Sequence, residues 1–173
     1  MTRSRVCALA SLLLCSAGPT FAQSLTDGQI AAIVVTANQV DVDAGRLAAS
    51  KATNPEVKKF AQTMVTDHTG VNKQAVDLAT KLGVKPEDND TAKSLASGGQ
   101  ANLANLKTLK GKEFDKAYVD HEVAYHQAVL DAVDKTLIPG AKNEELKALL
   151  VKVRPAFVAH LEHAKMVQSD LSK

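Results

Sequence analysis

This 173-residue chain predicts an all-α protein, a bundle of two antiparallel helical hairpins joined by a long crossover. Apolar residues recur at three- and four-residue spacing through four long segments, and no segment alternates like a strand. Only a few residues separate the first segment from the second, and the third from the fourth, so each pair must fold back on itself. Between the pairs lies the long stretch Val84 to Gly111. It is long enough to travel the whole bundle, as in ferritin-like folds, which an up-down-up-down bundle would not need.

The first helix is expected from about Thr26 to Thr53. It opens on TDGQ, where Thr26 and Gln29 fit a capping box, and carries Ile30, Ile33, Val34, Ala37, Ala44 and Ala48 at helical spacing. Asn54-Pro55 ends it and starts the second, with Asn54 as N-cap and Pro55 at the first helical position. Val57, Phe60, Ala61, Met64, Ala75 and Leu78 share one side of that helix, which Gly83 stops. The crossover begins with the polar KPEDND and holds a short amphipathic piece, expected as an extra helix near Thr91 to Lys107. The third long helix is expected from about Lys112 to Leu137, broken by Pro139-Gly140. The fourth runs from about Asn143 to Leu171, with Leu146, Leu150, Val153, Phe157 and Leu161 inward and Pro155 outward.

The N-terminus sets the compartment. Arg3 and Arg5, an apolar run from Val6 to Cys15, and the small Ala22 before Gln23 have the layout of a secretory signal peptide, so residues 1–22 are expected to be cleaved. LLLC at Leu12 to Cys15 offers a lipoprotein alternative, against which Leu14 stands where a small residue belongs. Residues 23–173 then form one domain, periplasmic or secreted, with no membrane span. Both cysteines, Cys7 and Cys15, leave with the peptide, so no disulfide is available in an oxidising compartment. Arg3 and Arg5 leave too, lowering Lys+Arg from 21 to 19 against 19 Asp+Glu, and the mature chain is neutral. Without a basic excess, and with only 3% aromatic residues to stack on bases, nucleic acid is disfavoured as a partner.

Three stretches, GRLAASKATNPEVKKFAQTMVTDH (45–68), GKEFDKAYVDHEVAYH (111–126) and AHLEHA (159–164), follow this leader. Together they resemble the exported bacterial family called domain of unknown function 4142, over essentially the whole mature chain. That family is grouped with the ferritin-like superfamily. The resemblance therefore implies the fold and almost nothing about function.

Stepping about 100° per residue places polar side chains inside the apolar arcs. Asp41 falls near the middle of the inward face of the first helix, and His68 lies between Val57, Ala61 and Met64 on the second. Glu122 projects between Tyr118, Val129 and Val133 on the third, with His126 at one edge of that arc and His121 at the other. His160 projects between Leu149 and Val153 on the fourth. At about 1.5 Å rise per residue, the two members of each hairpin lie level within about one turn. Asp41, His68, Glu122, His126 and His160 are thus the candidate metal ligands, and their mixed nitrogen and oxygen donors suit one ion of Fe, Mn or Zn. Di-iron bundles place Glu-x-x-His on two helices, but three residues before His68 and His160 stand Val65 and Phe157. That absence argues against a dinuclear oxygen-activating centre.

The other reading is a structural layer of His–carboxylate pairs with no ion, inside a non-catalytic interaction or stress-related protein. His121 and His163 are expected as solvated flank residues, Asp67 as surface charge, and Tyr118 and Tyr125 as core aromatics whose hydroxyls need partners. No glycine-rich phosphate loop, Gly-x-Ser-x-Gly elbow, cysteine nucleophile or His-Glu-x-x-His motif is present in the mature chain, which argues against an enzyme.

Overall fold

The computed structural model describes residues 24–173, so the expected leader over residues 1–22 lies outside the described residues. All regular structure among the described residues is helical. Helix α1 spans Asp27–Lys51. Its capping box is reciprocal: the Thr26 hydroxyl accepts from the Gln29 backbone at 3.1 Å, and the Thr26 backbone donates to the Gln29 side chain at 3.0 Å. Helix α2, Pro55–Leu82, starts where the Asn54 side chain accepts from the Glu56 and Val57 amides. It stops at Gly83, whose φ of 65° is the left-handed conformation that glycine adopts without strain. Helix α3, Asp90–Thr108, is the short helix of the crossover, capped by Asn89.

Helix α4, Gly111–Ala132, was expected to run to Leu137 and break at Pro139-Gly140. Instead it passes into a π-helical turn, Val133–Leu137, and then into the single α-helical turn α5, Ile138–Gly140. The Ile138 amide reaches back five residues to the Val133 carbonyl. This wider turn makes room for the Pro139 ring, which would otherwise press on the carbonyl four residues earlier. Helix α6, Glu144–Leu171, is capped by Asn143 and runs unbroken through Pro155. Pro155 is exposed, so the carbonyl it leaves free, on the exposed Val151, faces water.

Polar ties at the helix ends establish the topology. The crossover leaves α2 beside the start of α1, where the Glu87 amide donates to the Gly28 carbonyl and the Thr26 hydroxyl donates to Glu87. Helix α3 then runs alongside α1 to its far end, where Lys51 donates to the carbonyls of Leu106 and Lys107. There α4 begins, and the buried Asp115 accepts from the Thr53 and Asn54 amides and the Thr53 hydroxyl. At the opposite end the turn into α6 is held by Asp27, which accepts from the Lys142 and Asn143 amides. The long helices therefore run up (α1), down (α2), down (α4) and up (α6).

Apolar packing divides along the bundle. Phe60, Met64, Leu106, Phe114 and Tyr118 form one cluster near the α1–α2 turn. Ile30, Ile33, Val133, Leu137 and Leu150 form another at the opposite end. Val71, Leu130, Val153, Phe157 and Leu161 form a third, and Phe157 of this cluster stacks on His68 of a polar layer in the interior.

Candidate metal centre

Asp41 comes from α1, His68 from α2, Glu122 and His126 from α4, and His160 from α6, and none is more than 5% exposed. One ring nitrogen from each of His68, His126 and His160 lies within 4.8 Å of the others. Asp41, Glu122 and His126 form a second such group, so His126 belongs to both. His126, expected at the edge of its arc, thus stands at the middle of the arrangement. It sits one turn after Glu122 on a helix packed against α6, and both side chains point inward together.

Hydrogen bonds fix the tautomer of each imidazole. The Asn38 amide nitrogen donates to the Val34 carbonyl at 2.8 Å, which leaves its oxygen facing His68 Nδ1 at 2.7 Å. That oxygen can only accept, so Nδ1 carries the proton and the lone pair of His68 is on Nε2. His126 Nδ1 donates to the Glu122 carbonyl at 3.1 Å, leaving its lone pair on Nε2. His160 Nε2 donates to the Asp67 carboxylate at 2.9 Å, leaving its lone pair on Nδ1. The three nitrogens left with lone pairs, His68 Nε2, His126 Nε2 and His160 Nδ1, are buried and have no hydrogen-bond partner among the described residues. Both carboxyl oxygens of Glu122 are buried as well, facing Asp41 and the Tyr118 hydroxyl.

Burial dominates the electrostatics. It pushes His68 down to about 2 and His126 down to about 4, with the neighbouring imidazoles adding to the effect, and it also lowers His160 against the opposing pull of Asp67. All three rings are therefore neutral at pH 7. Asp41 is pushed up to about 8 by burial, and Glu122 is raised well above the carboxylate range by burial and by Asp41 beside it. The 3.6 Å approach of His68 Nε2 to Asp41 is consequently a contact of neutral groups, not an ion pair. Two acids that face each other in a dry interior retain protons unless a cation replaces them.

The surroundings correct several expectations. Asp67 is half exposed but is the hydrogen-bond partner of His160, so it is more than surface charge. His121 is half-buried and stacks on Tyr125, and half-buried His163 meets the Phe60 ring edge-on at 5.1 Å; neither is simply solvated, and neither joins the cluster. The Tyr125 hydroxyl donates to the Ala37 carbonyl, whereas the Tyr118 hydroxyl is buried against Glu122. Asn38, which orients His68, was missed, although it lies one turn before Asp41 on α1. Where a dinuclear bundle would carry a carboxylate, Phe157 stacks on His68 with its ring at 5.3 Å and 9°. An apolar ring there supplies no bridging oxygen.

The profile of the family described as Domain of unknown function (DUF4142) matches residues 15–167. No curated protein matches the chain. Among solved structures, CopM in the Cu(II)-bound form is similar, with a TM-score of 0.65 and 19% identity over 84% of this chain and 98% of that one. A likeness at that identity speaks for the fold alone.

Proposed function

This chain belongs to the family described as Domain of unknown function (DUF4142), and for it we propose an exported protein that binds one transition-metal ion inside the bundle. His68, His126 and His160 are the ligands in this reading, with Glu122 as a further ligand and Asp41 as its acidic neighbour. The carrying observation is that the unpartnered atoms of the polar layer include three imidazole nitrogens that carry lone pairs, with the Glu122 carboxyl on the same helix as one of them. A purely structural layer would leave those three nitrogens buried without a partner, at about 1–3 kcal/mol apiece. Asn38, the Glu122 carbonyl and Asp67 orient the rings from behind, as outer-shell partners do for metal-bound histidines.

The donor set narrows the choice of ion. Imidazole suits Zn, Cu and Fe better than Mn, so Zn(II) and Cu(II) lead. The likeness to CopM, a protein solved with Cu(II), adds copper to the ions worth testing. Tetrahedral zinc bonds of about 2.0–2.1 Å would draw the three rings closer around the ion. The signal-peptide layout of residues 1–22 is what supports the export half of the reading.

Elemental analysis of chelator-stripped protein after dialysis against Zn(II) or Cu(II) should give one ion per chain. At a free-ion concentration of about 100 times Kd the folded state gains about 2.7 kcal/mol, so the melting temperature should rise. His126→Leu should abolish the shift. Wild-type protein that retains none of Zn, Cu, Fe and Mn, and melts at the same temperature with each, would leave the structural layer as the correct reading.

A further inference from the structure

Beside the polar layer, toward the end of the bundle that holds the π turn, the helices enclose a cavity of about 160 Å³. Its walls are almost wholly apolar: Val34 and Ala37 of α1, Val129 and Val133 of α4 and its π turn, and Leu150 and Phe157 of α6 contribute to them. One end differs. There Asn38, Asp41 and His68 line the space, and all three are buried. At the side, Thr91 and Leu95 of α3 face Ala128 and Ala132 of α4 across an opening to solvent. Thr91 and Ala128 are exposed, so a molecule can reach the cavity without unfolding a helix.

Volume and chemistry together select a ligand class. An apolar cavity of about 150 Å³ stays dry and accepts a molecule of benzene size. The polar end adds one demand, because the Asp41 carboxyl that lines it has to be met by an uncharged group that hydrogen-bonds, as a hydroxyl does. A carboxylate there would meet Asp41, and a charged head of either sign would lose its hydration against walls that offer carbon. We propose that the cavity binds a small neutral molecule of one ring or about six carbons bearing a single hydroxyl, with the apolar body against α4 and the π turn and the hydroxyl at Asp41. The cavity is a property of the polypeptide, so the proposal does not depend on the metal reading.

The test is titration of the full mature chain, stripped of metal, with phenol, benzene, benzoate and benzylamine, followed by calorimetry and by amide NMR shifts. Phenol should bind one to one with Kd of about 1 mM or tighter, at least tenfold more tightly than benzene, and should shift amides around Ala37, Val129 and Val133. Benzoate and benzylamine should bind at least tenfold more weakly than phenol. Ala132→Phe should fill the space, and Ala128→Leu, on an exposed position that leaves the core untouched, should narrow the opening; each should cut phenol affinity at least tenfold without lowering the melting temperature. Absence of saturable phenol binding, equal binding of the charged probes, or undiminished binding to the Ala128→Leu variant would each overturn the proposal.

Discussion

His68 shows how much a single residue's surroundings decide. Its ring is held by Asn38 at Nδ1, stacked by Phe157 and left with a free lone pair at Nε2. Asn38→Leu removes the acceptor that selects this tautomer, and Zn(II) affinity should fall by about 10- to 100-fold; competition with a chromophoric chelator would measure it, and unchanged affinity would show that Asn38 does not orient the ligand. The pH dependence separates the two kinds of group. His68 and His126 lie far below 6.5 in the folded chain, so the unfolded chain binds protons that the folded one does not, and stability drops as pH falls below about 6.5. Asp41 has the opposite sign. Raised from 3.8 to about 8, it holds a proton in the folded chain alone, so its contribution is present at low pH and is lost as pH rises toward 8. Between pH 6.5 and 8 only the acids change, and metal-free protein should melt at progressively lower temperature, whereas saturating Zn(II), by replacing the acid protons, should remove or reverse that trend. A metal-free melting temperature that climbs over this interval would show Asp41 to be ionised.

At the scale of single elements, helix phase was legible and partnership between helices was not. A period of 3.6 residues suffices to put Asp41, His68, Glu122 and His160 inside apolar arcs, and the caps at Thr26 and Asn54 are written in local spacing. Asp67 was unreadable because its role depends on α6 crossing beside it, and Asp115 because it serves the α1–α2 turn from another helix. The π turn was equally silent, since a shift of backbone bonding leaves no mark on apolar periodicity. The adjacent glycines of α3 make a sharp contrast. A Cβ on Gly99 would stand 2.7 Å and 3.0 Å from the two methyls of Val40, a β-branched chain with little freedom to turn away, whereas a Cβ on Gly98 meets nothing within 4 Å. Gly98→Ala should therefore stabilise by up to about 1 kcal/mol through helix propensity, and Gly99→Ala should destabilise by about 1 kcal/mol or more through overpacking. Urea melts of the two variants decide it, and equal stabilisation by both would mean that α3 does not pack closely on α1.

Across the whole molecule, the crossover is what brings the layer together. By carrying the chain back along α1 it lets α4 start at the α1–α2 turn, so that Glu122 and His126 descend to the level of Asp41 and His68 while α6 rises past them with His160. Loop lengths revealed that route in the sequence, because short connections enforce hairpins and the long one permits the return. What they left open was which donors would face each other, for a phase error of one residue moves a side chain by about 100°. The result is a polar layer between two apolar ends, with its nitrogen lone pairs turned inward. X-ray absorption at the zinc edge of Zn(II)-loaded protein tests that arrangement most directly. The account predicts a first shell at about 2.0–2.1 Å with the multiple scattering of three imidazoles, falling to two in His160→Leu; a shell of oxygen alone, or an imidazole count that His160→Leu leaves unchanged, would contradict it.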